Sequence, residues 1–394
     1  MRITPASELT SRYQALQQQM AVAEMDAAII LQNADLFYFT GSIQQGVLYI
    51  PVSGEPVYLV RKDYGRARME SGLKEIAPLK SLRDLPGILN DFCIADAKRI
   101  GFELDVLPTN QFMRWQKIFS GSELLDVSPE IRTVRAIKSD YEISIMKDCA
   151  LMMDKVYRHA KEIIAVGRTD LEIAAELECF ARKEGHQGIM RFRAFNAELY
   201  FGHIFSGPDA AVPAHLDAPL GGLGLNPCVG QGASYKRIER NEPIIIDVMT
   251  AFDGYMVDQT RTMVVGKLSE QLERAYYDML KIQEKLFDIA RPGAIWGEIY
   301  QQCYDLAVEL GYQDHFMGSS GAQVSFIGHG VGLEIDEYPF IARGFMDQEL
   351  KENMTFAFEP KAVYPGQGVV GVENTYRVGS EGLKRLTYSE EQIV

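Results

Sequence analysis

Residues 241–262 read NEPIIIDVMTAFDGYMVDQTRT, two apolar runs that each contain one aspartate, set on either side of Asp253-Gly254. That dipeptide suits a two-residue hairpin turn whose central residues both take positive φ, so a β-hairpin is expected here. With the turn fixed, Phe252 faces Tyr255, Met249 faces Asp258 and Thr260 faces Asp247. Asp247 and Asp258 then share one face as diagonal neighbours, roughly 7–8 Å apart at the backbone. Converging carboxylates repel unless a cation lies between them or one keeps a proton. A divalent ion is the simplest solution. On spacing alone the pair could equally be solvated positions of an edge hairpin, so the rest of the chain must decide.

The chain has 394 residues, more than one hydrophobic core usually organises, and two domains are expected. A formal net charge of -14 argues against a nucleic-acid backbone or an anionic membrane as partner, because both need a basic surface. The N-terminal MRITPASELTSRYQALQQQ lacks the apolar core of a signal peptide, and no apolar run reaches the ~18–20 residues that span a bilayer. A cytoplasmic location is expected. Cys93, Cys149, Cys179, Cys228 and Cys303 are odd in number and scattered without a CxxC pair, which fits neither a disulfide framework nor a zinc-thiolate site. Cys149, Cys179 and Cys303 fall in helical patterns among apolar neighbours and are expected as buried free thiols.

Residues 1–134 alternate short β-rich runs (DAAIIL, GVLYIPV, PVYLV, RIGFE) with helical stretches, the pattern of a small α/β domain. The second domain, 135–394, opens on a long amphipathic helix capped by Ser139 or Asp140. Thr169 and Glu172 stand in capping-box spacing ahead of a further helix that closes on Gly185. At an offset of 126 residues this portion repeats itself: Gly167, Glu172 and Gly185 map onto Gly293, Glu298 and Gly311, His203 onto His329, and Asp247 onto Glu373. Asp258 maps only onto Lys384. A duplication of this kind predicts two α/β halves related by a pseudo-twofold, with the chemistry in the cleft between them.

The second half adds His329 in IGHGVGLEIDEYP, Glu359 in MTFAFEPKAVYPG and Glu373 in VVGVENTYRV. Both glutamates sit in apolar, strand-like runs where an unpaired carboxylate is costly to bury. No comparable supply of buried arginines is visible, so the metal reading of Asp247 and Asp258 gains weight. Four carboxylates and one imidazole form an oxygen-rich set suited to manganese, with cobalt, zinc and iron as the other candidates, and the carboxylate excess implies two ions per chain.

The order Asp247, Asp258, His329, Glu359, Glu373, with GYMVDQTRT and GHGVGL around it, resembles the prolidase, aminopeptidase P, creatinase and methionine aminopeptidase family. RAIKSDYEI and NADLFYFTGS are similar to the same family, the second to its creatinase-type N-terminal domain. The resemblance implies a creatinase-type α/β domain followed by a pita-bread catalytic domain, and a homodimer. It also implies a dinuclear centre in which Asp258 and Glu373 bridge both ions, Asp247 completes one, and His329 with Glu359 completes the other. A water between the ions would be the nucleophile and Glu359 the proton shuttle. Creatinase itself lacks the metal and part of this set, which disfavours a creatinase reaction here.

Several positions depart from the family pattern. Met249 replaces the glycine usual two residues after the first aspartate and is expected to narrow the site beside Asp258. Asp336 stands where a second histidine usually holds substrate or a developing oxyanion, and Gly371 stands where an arginine usually precedes the last glutamate. A glycine-rich stretch including APLGGLGLNPCVGQGAS separates His215 from the hairpin and is read as a lid or cleft wall. His215, in SGPDAAVPAH, matches the substrate-side histidine. His203 is read as a packed or surface histidine, and His159, His186 and His315 carry no motif.

The activity expected is that of an Xaa-Pro aminopeptidase or dipeptidase acting on a small peptide. A metal-dependent hydrolase or lyase of a small non-peptide substrate on the same scaffold is the alternative. The intact ligand set argues against a non-catalytic binding scaffold.

Overall fold

The structure is a computed structural model that describes residues 2–92, 94, 96–196, 198–319 and 321–393, so Cys93 lies outside the described residues. The chain forms two compact units. The first runs to Arg135 and takes in the short stretch from Arg193; the second holds the remainder.

The first unit is built on a six-stranded sheet of β1 (Ala27–Ile30), β2 (Gly46–Pro51), β3 (Val57–Val60), β4 (Glu75–Pro78), β5 (Arg99–Phe102) and β6 (Glu123–Asp126), in the order β4-β3-β2-β1-β5-β6. β1 and β3 are buried along their whole length, as their unbroken apolar runs require. Ile29, Tyr49, Leu59, Ile100 and Trp115 meet in its core. Arg193 belongs here because its guanidinium grips Asp35 at 2.5 Å and Asp105 at 2.6 Å, while Arg135 holds the other oxygen of Asp35 at 2.6 Å. Burial raises the Asp35 pKa, but Arg193 and Arg135 outweigh it and hold the carboxyl down at about 2.

In the second unit the hairpin forms in the expected register. Strands β7 (Gly202–Ser206), β8 (Ile244–Phe252) and β9 (Tyr255–Met263) make one sheet, with Asp247 opposite Thr260 and Met249 opposite Asp258. The turn residues Asp253 and Gly254 take φ of 45° and 93°. A second sheet joins β10 (Phe326–Val331), β11 (Ile335–Ala342), β12 (Thr355–Phe358), β15 (Asn374–Gly379) and β16 (Gly382–Arg385) in the order β11-β10-β12-β15-β16. Between them in sequence, β13 (Lys361–Tyr364) and β14 (Gly368–Gly371) pair as a hairpin.

The duplication is visible element by element. Helix Asp170–Lys183 has 14 residues and so has helix Trp296–Glu309, and each begins 126 positions from its counterpart. Helices Asp140–Ile163 and Glu270–Ile289 precede them in the two halves. Of the two caps expected for helix Asp140–Ile163, Ser139 is the one used, in a capping box with Glu142, and Thr169 forms the capping box expected with Glu172. The halves join at β9: Glu373 N–H donates to Thr260 O at 3.1 Å, and the Thr375 hydroxyl accepts from Asp258 N–H and donates to Asp258 O, both at 2.9 Å. Those contacts bring the acidic residues of both halves to one place.

The cysteine expectation needs one correction. Cys149 and Cys303 are buried free thiols, but Cys179 is exposed. Its helical face carries Glu172, Glu176 and Lys183, at spacings of seven, three and four, so it belongs to the polar stripe. No described helix is long and apolar enough to cross a membrane.

Candidate metal centre

Asp247 and Asp258 descend from the hairpin, His329 from β10, Glu359 from the residue after β12, and Glu373 from the residue before β15. The strands fix the backbone, and hydroxyls fix the side chains. Thr260, facing Asp247 across the hairpin, bonds both Asp247 Oδ1 and Glu373 Oε2 at 2.7 Å. Asp258, His329 and Glu373 are buried, and each offers one ligand atom within 4.8 Å of the others. His329 Nε2 lies 3.7 Å from Glu373 Oε1 and 3.8 Å from Glu359 Oε1. All five expected ligands therefore converge.

A sixth group stands among them that sequence reading overlooked. Lys361 is 1% exposed, and its ammonium lies 2.5 Å from Glu359 Oε2, 3.1 Å from Glu373 Oε2 and 3.5 Å from Asp247 Oδ2. The buried cation beside these carboxylates is thus a lysine, where the sequence reading considered only arginines.

The titration pattern reflects that crowding. Burial raises the Asp247 pKa and Lys361 lowers it, leaving it at about 6; the same two opposed causes leave Glu359 at about 7. Asp258 goes well above the carboxylate range through burial and the neighbouring charges of Glu373 and Asp247. Glu373 moves the other way: burial opposes ionisation, but Lys361 and His329 hold it well below its ordinary value. Burial pulls His329 down, yet Asp336, Glu373 and Glu359 lift it to about 10.

The donor set fits a divalent ion. Asp258 Oδ1 is buried and has no hydrogen-bond partner, which is costly for a carboxylate oxygen unless a cation meets it. Asp336 Oδ1 lies 3.3 Å from His329 Nδ1, and Gly330 O lies 3.4 Å from the same nitrogen. A proton on Nδ1 facing these oxygens leaves the Nε2 lone pair turned towards the carboxylates, the usual support for a ligating imidazole. Asp336, expected on the substrate side, thus meets the back of His329, at a φ of 64°. Asp336→Asn should weaken metal binding by about 10–100-fold while leaving the fold intact, as read by competition with a chelating dye.

The remaining residues are placed as follows. Met249 is 7% exposed and faces Asp258 across the hairpin. His215 is exposed on the irregular segment after helix Gly207–Ala210. His203, read as a packed or surface residue, lies directly opposite Asp247 in the β7–β8 ladder, with its Nδ1 buried and unpartnered. Burial and the charge of Lys361 lower its pKa to about 4. Its echo of His329 at the repeat offset was the signal that it faces the site. The glycine-rich stretch packs Leu220 against Phe205, Ile245 and Val363, and a Cβ on Gly232 would lie 3.2 Å from His203 Nδ1, so that part of the stretch walls this corner.

A buried cluster of carboxylates and one imidazole, carried on two duplicated α/β halves, defines a metal-dependent hydrolase of the pita-bread class. The comparisons agree. The chain belongs to metallopeptidase family M24, whose profile matches residues 144–380, and the creatinase/prolidase N-terminal domain profile matches residues 12–137. The Xaa-Pro dipeptidase of Pyrococcus horikoshii is 29% identical over 372 residues, covering 94% of this chain and 95% of that protein. The solved prolidase of Pyrococcus horikoshii OT3 superposes with a TM-score of 0.81 at 27% identity, covering 98% of this chain and 100% of that one. The Xaa-Pro dipeptidase of Bacillus anthracis superposes at 0.83 with 25% identity, covering 98% and 99%. This protein is a metallo-exopeptidase.

Proposed function

We propose that the chain hydrolyses the N-terminal peptide bond of a small Xaa-Pro peptide, as an aminopeptidase or dipeptidase. The observation that carries this reading is the convergence of Asp258, His329 and Glu373 around a buried, unpartnered carboxylate oxygen. The names of the full-length relatives support the substrate class. Manganese is the ion proposed for this oxygen-rich set with one imidazole. When bound, it would supply Lewis acidity at the scissile carbonyl and acidify an attacking water.

The chain's own residues do the rest. Asp258, Glu373 and His329 Nε2 hold the ion, Asp247 completes the acidic wall, and Asp336 keeps the imidazole in its ligating tautomer. Glu359, beside the residues that hold the ion, takes the proton of the attacking water and returns it to the leaving amine. Met249 narrows the cleft beside Asp258, and His215 meets the substrate from the exposed loop.

Manganese-loaded protein should release the N-terminal residue from Xaa-Pro dipeptides or longer Xaa-Pro peptides. Turnover confined to a panel of small non-peptide metabolites would overturn the proposal. His215→Ala should cost about 10² in kcat/KM with the metal content unchanged, because it removes one polar contact to substrate. An emptied metal site in that variant would show that His215 is a ligand.

A further inference from the structure

The carboxylates of the centre divide their oxygens between two sides. Glu373 turns Oε1 towards His329 and Oε2 towards Lys361; Glu359 does the same, with Oε1 at 3.8 Å from His329 Nε2 and Oε2 at 2.5 Å from Lys361 Nζ. Asp247 belongs to the lysine side, with Oδ2 at 3.5 Å from Nζ. Asp258 belongs to the other, where its Oδ1 has no partner. One half therefore has the open donor atoms of a metal site. The other half has its inward oxygens already turned to an ammonium.

The lysine side is built around that side chain. Lys361 opens β13 directly opposite Gly371 of β14. A Cβ at Gly371 would lie 2.8 Å from both Cα and Cγ of Lys361 and 2.6 Å from Pro360 O, closer than real Cβ contacts allow. Gly371 thus leaves the space through which the Lys361 stem reaches the carboxylates. Two positions, one carrying the cation and one making room for it, are matched across a strand pair.

We infer that this chain holds one divalent ion, at Asp258, His329 and Glu373, and that the Lys361 ammonium occupies the half of the centre where the sequence suggests a second ion. The inference rests on the metallopeptidase reading and refines its ion count. An ammonium and a divalent ion cannot share the same carboxylate oxygens at these distances, because both need the lone pairs that face the centre. Electrostatic balance agrees: one ion and Lys361 bring three positive charges to four carboxylates, whereas two ions with Lys361 among them would bring five.

The test is a metal count on the whole chain. Metal-free protein is titrated with manganese, the bound ions are counted by elemental analysis after gel filtration, and the spectrum of bound Mn2+ is recorded by electron paramagnetic resonance. The expected result is one ion per chain with the signal of an isolated Mn2+, and two ions per chain with a spin-coupled signal in Lys361→Ala, whose vacated half gains three open carboxylate oxygens. Two ions in the wild type, or one ion in a folded Lys361→Ala, would overturn the inference while leaving a metallopeptidase in place. No bound ion in either protein, with no peptide hydrolysis, would overturn the metallopeptidase reading as well. If Lys361→Ala does not fold, the wild-type count and spectrum decide alone.

Discussion

Asp258→Ala and Glu373→Ala should each yield a chain that neither retains its divalent ion nor hydrolyses peptide, with kcat/KM lower by about 10³ or more. A Lewis acid at the reacting carbonyl is worth several kcal/mol, and among the described residues Asp258 and Glu373 are two of the three buried groups, with His329, that lie close enough together to hold one ion. The Asp258 change carries a second signature that a merely structural residue would not show. In the metal-free protein its carboxyl is buried, unpartnered at Oδ1 and pressed by Glu373 and Asp247, so its pKa stands well above the carboxylate range. The metal-free fold then keeps a proton that the unfolded chain gives up at about pH 4. Its stability must fall as pH rises from that value towards the folded pKa. Asp258→Asn removes this penalty, so the metal-free variant should melt higher than metal-free wild type at neutral pH, with the gap closing in acid. Added manganese should reverse the order by stabilising only the wild type.

Arg261→Ala should be the most destabilising single change in the hairpin, by roughly 3–5 kcal/mol and on the order of 10 °C in Tm. Arg261 is 1% exposed. Its guanidinium donates to the carbonyls of Thr260 and Glu373 at 2.8 and 2.7 Å, to those of Ser389 and Glu390 at 2.7 and 2.8 Å, and to Asn374 Oδ1 at 2.8 Å. One side chain thereby ties the strand of Asp258, the loop of Glu373 and the C-terminal segment together. Removing it leaves buried acceptors unsatisfied as well as a void. Arg261→Met retains most of the stem, so it should recover little if the hydrogen bonds dominate. Full recovery in that variant would mean that packing alone holds the position. Differential scanning calorimetry on the three proteins separates the two cases, and metal affinity should fall with stability because Glu373 loses its backbone anchor.

The four carboxylates of the candidate centre were legible because each breaks a local rule. Asp247 and Asp258 interrupt apolar runs, Asp253-Gly254 fixes their register, and Glu359 and Glu373 sit in strand-like stretches where carboxylates are expensive to bury. Lys361 was not legible for the converse reason. In FEPKAVYPG it follows a proline at the start of a short strand, where a lysine ordinarily points to water, and β13 is buried at every position, so no alternation marks its inward face. Its matching partner, Gly371, was visible only as a departure from the family. The contact of Asp336 with the metal centre was not legible either: a family position suggested substrate, and only the left-handed turn at the head of β11 brings its carboxylate to His329 Nδ1. Cys179 was misjudged by its immediate neighbours, when its helical face was set by residues three, four and seven positions away.

Hydrolysis is proposed to depend on an ion held by Asp258, His329 and Glu373. Stepwise addition of manganese to chelator-treated protein, with bound metal and cleavage of an Xaa-Pro peptide followed in the same samples, tests it most directly. The expected result is no cleavage without metal, activity rising in proportion to bound ion and reaching its plateau at one ion per chain, and neither binding nor cleavage in Asp258→Ala. Full activity in the chelator-treated, metal-free chain, or cleavage in Asp258→Ala equal to that of wild type, would contradict it.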